Sequence, residues 1–167
     1  MQMRIANWLL LAAFSVTGIP AACSNQQDSA EPLMQADSAN IEAARKMYKT
    51  LLAGDMEGAF SVMAENIRWI YYGGKGIIPF SGEYVGHEGV AQFFDDYSSV
   101  AEPLGMELQS FYSSGETVFV TGIENSRILA TDKSYAAPWV HVLKFADGKI
   151  VSYEEYIDSA LVAAAFE

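Results

Sequence analysis

The second half of the chain most constrains its fold. From about residue 105 onward, apolar and polar residues alternate in runs at about 105–113, 116–124, 127–131, 136–146 and 149–157, the two-residue period of strands with one buried face. Turn signals at Ser114-Gly115, Asp132-Lys133 and Asp147-Gly148 break the series, which predicts hairpins and an antiparallel sheet. The first half reads differently. Ile41, Ala44, Tyr48, Leu51 and Leu52 recur at helical spacing, with Asp37 or Ser38 placed to cap the start. Gly54 suits the left-handed position that ends a helix, and Asp55 can cap a second, short helix from Met56 to about Met63, with Phe60 and Met63 on one face. Residues 67–72 are rich in aromatic and β-branched side chains and predict a strand ended by Gly73-Gly74. A loop with an extended piece near Tyr84 leads to a third helix over 87–101, burying Val90, Phe93, Phe94 and Tyr97. A short helical segment capped by Asp158 or Ser159 closes the chain. Helices followed by a run of strands define an α+β fold, not an alternating one with a parallel sheet.

The chain has 167 residues, 51% of them apolar, enough for one domain with a real core. A formal charge of −11, with ten basic residues scattered along the chain, argues against a nucleic-acid partner. The opening residues hold one charge at Arg4, an apolar run from Trp8 to about Ile19, and small residues before Cys23. That is the layout of an export signal, too short for a stable membrane span. Cys23 is the only cysteine, which excludes an internal disulfide and a thiolate cluster for zinc. Its position after Pro20-Ala21-Ala22 resembles a bacterial lipoprotein signal, although Pro20 stands where such signals carry an aliphatic residue. The alternative is an ordinary secretory signal cut near Ala22 or Cys23. The expected organisation is a signal over 1–22, a polar tether over 23–37 and a folded domain over 38–167. The expected location is the cell envelope, with membrane attachment through a lipid on Cys23 if the signal is processed that way.

His141 and the carboxylates that follow it raise the functional question. If the strand from Pro138 alternates, Trp139, His141, Leu143 and Phe145 share the inner face and Lys144 the outer one. An imidazole there needs partners or a wet pocket, because a buried unpaired polar group costs about 1–3 kcal/mol. A two-residue turn at Asp147-Gly148 sets His141 opposite Glu154. A three-residue loop from Ala146 sets it opposite Tyr153 and diagonal to Glu155. The second is favoured, because it gathers Val151, Tyr153, Glu155 and Ile157 inside and leaves Ser152 and Glu154 outside.

Three stretches also resemble a known family in the right order: residues 48–73 (a helix ending in Gly-Asp, a short helix, an aromatic strand), residues 79–94 entering the third helix, and the closing hairpin over 141–166. They resemble the SnoaL-like and ketosteroid isomerase-like proteins of the NTF2-like superfamily. The resemblance implies a cone: a curved antiparallel sheet packed against three helices around a pocket. It includes cyclases, isomerases, epoxide hydrolases and dehydratases, so the fold does not fix the activity. By resemblance to the cyclases, His141 and Glu155 are the acid/base pair, with glutamate where the family pattern has aspartate. The ketosteroid isomerase base falls near Ile70 or Tyr71, where no carboxylate exists, so that activity is not expected.

The expected ligand is a small apolar or carbonyl-containing molecule, enclosed by Tyr48, Trp69, Tyr71, Phe111, Trp139 and Tyr153. If the site is catalytic, the chemistry is cofactor-free proton transfer of isomerase, cyclase or dehydratase type, with Glu155 as base and His141 as orienter or oxyanion donor. The other readings are a ligand-binding or dimeric interaction module, and a His141 that is only a satisfied core residue. No Cys/His cluster points to a metal and no glycine-rich phosphate loop to a nucleotide, so no cofactor is expected. His87 is expected to be exposed.

Overall fold

The computed structural model describes residues 30–74 and 76–167. The signal, Cys23 and the first part of the tether lie outside the described residues. Among these residues no helix is long and apolar enough to cross a membrane.

The first helix, α1 (Ala30–Leu52), starts well before Ile41. Residues 30–37, expected as tether, are therefore helical. Pro32 does not prevent this, because the first-turn N–H groups have no intrahelical partner to lose. Ala44, Met47 and Tyr48 form its buried stripe. Gly54 takes the left-handed conformation, with φ 73°. Asp55 then caps α2 (Met56–Phe60), its carboxylate accepting from the Gly58 N–H. The second helix is shorter than expected, since Met63 already belongs to β1 (Met63–Tyr72) and pairs with Ile150. Ladder pairing across the sheet overrides the local helical pattern there. β2 (Gly82–Val85) and α3 (Gly86–Val100) follow. His87 is half-buried, not exposed, because the Phe60 ring of α2 stacks on it with centroids 4.3 Å apart.

Four long strands complete the sheet: β3 (Ala101–Ser114), β4 (Thr117–Ile128), β5 (Ser134–Ala146) and β6 (Lys149–Ile157). The runs expected at 116–124 and 127–131 belong mainly to one strand, β4, whose burial alternates without a break through Asn125 and Ser126. The strand order is β2-β1-β6-β5-β4-β3. Only β1 and β6 run parallel; the other neighbours are antiparallel. Irregularities in β3, β6 and the β1–β6 ladder bend the sheet. α1 and α3 pack against it, and α4 (Ser159–Phe166), capped by Asp158, packs on β5.

The closing hairpin corrects the expected register. Asp147 and Gly148 both have left-handed φ, 50° and 72°, and Ala146 pairs with Lys149. The turn therefore has two residues, the primed type that Asp-Gly favours. Val151 is then an extra residue: Phe145 pairs with Ile150 and Lys144 with Ser152. This bulge moves the register by one, so His141 faces neither Glu154 nor Tyr153 but Glu155.

Candidate functional site

Alternation along β5 buries Tyr135, Ala137, Trp139, His141, Leu143 and Phe145. Cross-strand pairing brings Glu155 opposite His141 and Tyr153 opposite Leu143. The His141 ring is wholly buried and lies flat against Trp139, with centroids 3.7 Å apart and planes 9° from parallel. Trp139 can lie flat because its partner on β4 is Gly122. A Cβ at that position would run into the Trp139 ring and the Glu107 carbonyl. Glycine is required here by close approach, not by backbone angle.

Two tyrosines satisfy the imidazole. The Tyr48 hydroxyl lies 2.7 Å from Nδ1, and the Tyr153 hydroxyl lies 2.8 Å from Nδ1 and 3.0 Å from Nε2. Tyr153 also donates to Glu155 Oε2 at 3.3 Å. His141 Nε2 and Glu155 Oε2 are 3.6 Å apart, too far for a direct hydrogen bond. The Tyr153 hydroxyl is the bridge between them.

The electrostatics keep this cluster neutral. Burial pushes the His141 pKa well below its ordinary value, with the Glu124 charge opposing. Burial pushes Glu155 up to about 8, and the bond from Tyr153 works against the rise. A neutral imidazole therefore faces a carboxyl that holds its proton until slightly alkaline pH. Glu155 is 3% exposed, and its Oε1 has no hydrogen-bond partner.

Glu155 lines a cavity of about 610 Å³, a size that holds a small organic ligand. Trp69, Tyr71, Tyr153 and Glu124 share its buried lining with Glu155, while Phe93, Phe94 and Tyr97 of α3 form a wall. Its mouth includes the exposed Leu52, Asp95, Ser98 and Leu104. Trp69 stacks on Tyr153 at 3.6 Å between centroids, so the aromatic floor is rigid. Trp69 Nε1 and the Tyr71 hydroxyl, like Glu155 Oε1, are buried without partners. Such groups are costly unless something else bonds to them.

Tyr48, Trp69, Tyr71, Tyr153 and Glu155 thus share one cavity. Trp139 and Phe111 do not line it. Trp139 is spent as the platform beneath His141. Phe111 meets the edge of Tyr48 and the guanidinium of Arg45, 4.1 Å above its ring, beside a separate hollow on the α1 side of β3. His141 is outside the lining as well and reaches it only through Tyr153.

Glu124 belongs to the site although no motif marked it. The signal was available: in β4, Val118, Val120, Gly122, Glu124, Ser126 and Ile128 have one parity, and a carboxylate on the apolar parity is an inward one. Placing a strand break after residue 124 hid it. Its Oε1 accepts from Tyr135 at 2.5 Å, Ser126 at 3.0 Å and Tyr97 at 3.2 Å. Burial still raises its pKa, with the Glu155 charge adding to the rise.

A curved, open six-stranded sheet packed against helices defines the NTF2-like class of α+β proteins. An NTF2-like protein from Burkholderia xenovorans superposes with a TM-score of 0.69 at 27% identity, covering 78% of this chain and 98% of its own. TerC, co-crystallised with polyporic acid, matches with a TM-score of 0.67 at 26% identity over 77% of this chain and 98% of its own. A protein described as a putative isomerase from Bacillus subtilis shares the fold, with a TM-score of 0.63 at 22% identity over 77% and 93%. The chain belongs to the SnoaL-like domain family, which matches residues 44–153. No curated protein matches it.

Proposed function

We propose that this protein binds a small, mainly apolar carbonyl compound in the Trp69–Tyr153 cavity and moves a proton on it without a cofactor, as an isomerase, cyclase or dehydratase does. The observation that carries this reading is Glu155: a carboxyl titrating near pH 8, with one oxygen bonded by Tyr153 and the other unpartnered at the cavity. A base poised near the working pH is the requirement of general acid–base catalysis. Glu155 takes the proton from the carbon alpha to the carbonyl, and the electron pair moves onto the carbonyl oxygen. The same carboxyl returns the proton to that enolate at another carbon. Tyr71 and Trp69 carry O–H and N–H donors suited to the oxygen. His141 does not touch the ligand; it holds the Tyr153 hydroxyl and so orients Glu155.

The test needs no known substrate. The protein is incubated with a panel of aryl ketones in deuterated water, and exchange of the alpha protons is followed by NMR. Exchange above the buffer rate, increasing with pH towards a plateau above about 8 and lost in Glu155→Gln, is expected. Ketones that bind without exchange would make the protein a carrier instead. The same reading places the domain outside the cytoplasm, anchored through Cys23, and as a homodimer. Exposed Phe119, Val140 and Tyr156 on the outer face of β4, β5 and β6 support self-association, which sedimentation of the isolated protein checks.

A further inference from the structure

Glu124 is equipped for a charge that the protein does not balance. Hydroxyls from Tyr97, Ser126 and Tyr135 converge on its Oε1. The Tyr97 and Ser126 hydroxyls also bond to each other at 2.6 Å, so one of them donates to Oε1 together with Tyr135; two such donors on one oxygen suit an ionised carboxylate. These bonds fall on Oε1, and the Glu124 side chain lines the cavity. Yet among the described residues the cavity lining contains no lysine, arginine or histidine; its carboxylic acids are Glu124, Glu155 and Asp95. The titratable groups around Glu124 are Tyr71 from β1, Tyr97 from α3, Tyr135 and His141 from β5 and Tyr153 and Glu155 from β6. None of them supplies a positive charge while His141 is neutral. Arg45 and Lys49 line the separate hollow beside α1.

A second observation points the same way. Glu155 Oε1, in a side chain almost wholly buried, has no partner in the same lining. Trp69, Phe93, Phe94 and Tyr97 supply the remaining wall, and aromatic faces attract cations and not anions. Carboxylate or phosphate ligands would meet two buried acids and no basic group.

We infer that the ligand of this cavity carries a positive charge, a protonated or quaternary amine, which seats against Glu124 while its reactive part lies at Glu155. This rests on the cavity being the ligand site and divides the two carboxyls: Glu155 moves the proton, Glu124 is the counter-ion. The cation stabilises the ionised form of Glu124, so binding releases a proton from it and strengthens as pH rises.

The full chain is titrated with benzyltrimethylammonium, with its neutral carbon isostere neopentylbenzene, and with benzoate, following Trp fluorescence and ligand NMR shifts. The ammonium is expected to bind at least about tenfold tighter than the isostere, as charge and cation–π attraction together imply. Benzoate is expected not to bind. Calorimetry in buffers of different ionisation enthalpy should show uptake by the buffer of up to about one proton per ammonium bound. Glu124→Gln should erase the preference while leaving the isostere's affinity within about threefold. Should that variant misfold, Tyr135→Phe, which removes one donor from Oε1, reports a partial loss. Equal binding of ammonium and isostere by the unaltered protein overturns the inference and leaves the ligand site standing. Binding of neither probe overturns both.

Discussion

Glu154 and Glu155 are adjacent on β6, and the fold gives them opposite chemistry. Glu154 faces outward, where Lys144 donates to it at 2.7 Å and the hydroxyls of Tyr156 and Tyr72 at 3.0 and 3.3 Å. Lys144 first, and then those hydroxyls, hold its carboxyl below the ordinary range. Glu155 faces inward, meets no cation that is charged, and is pushed up to about 8 by burial. Strand parity alone separates an anion held by Lys144 on the outer face from a group able to carry a proton at neutral pH. Parity in turn depends on Val151: without a bulge the two-residue turn would have sent Glu154 inside.

The largest effect expected from breaking this contrast is on turnover. Glu155→Gln should lower proton exchange by roughly 10²–10⁴-fold, the usual weight of a general base, whereas Glu154→Gln should change it by less than about threefold. Equal losses in the two would mean that the inner position has no special role. Next in size is the platform beneath the site. Gly122→Ala drives a methyl into Trp139 and the Glu107 carbonyl, and overpacking of this kind costs about 1–3 kcal/mol or more, measurable by urea unfolding. A fully stable variant would show that Trp139 and His141 are not held as tightly as their 3.7 Å stacking implies.

The two glutamates also separate by pH. Glu155 ionises near its ordinary 4.5 in the unfolded chain and near 8 in the folded one. Its neutral form therefore contributes fully below about pH 4.5, and the contribution is lost as pH rises through about 8. Unaltered protein should weaken relative to Glu155→Gln across that window, by at most about 1.4 kcal/mol per pH unit. Glu154 has the opposite sign: its bond to Lys144 contributes at neutral pH and is lost as pH falls through its lowered pKa. Parallel curves for the two Gln variants would refute the contrast. The smallest change belongs to the outer pair itself: Lys144→Met should cost less than about 1 kcal/mol, because Lys144 is half exposed, and should leave exchange untouched.

Much of the architecture was legible because period is local. The apolar parity of residues 136–146 put Trp139, His141, Leu143 and Phe145 on one face, and they are buried together. Gly54-Asp55 punctuated two helices as expected. The parts that were misread involve distant partners. Met63 looked helical until β6 paired with it, and Phe111 looked like a wall of the pocket until Arg45 covered it. Glu124 was readable by the same parity rule but was lost to a misplaced strand end.

By itself the sequence determined that this is an α+β chain with an inward histidine on its penultimate strand and carboxylates on its last. Those statements rest on alternation and turn chemistry, which act between residues a few positions apart. Only the tertiary structure decided which carboxylate enters and that Tyr48 from the first helix and Tyr153 meet at His141. Each of these depends on a one-residue bulge or on packing between elements far apart in sequence, and neither leaves a local signature.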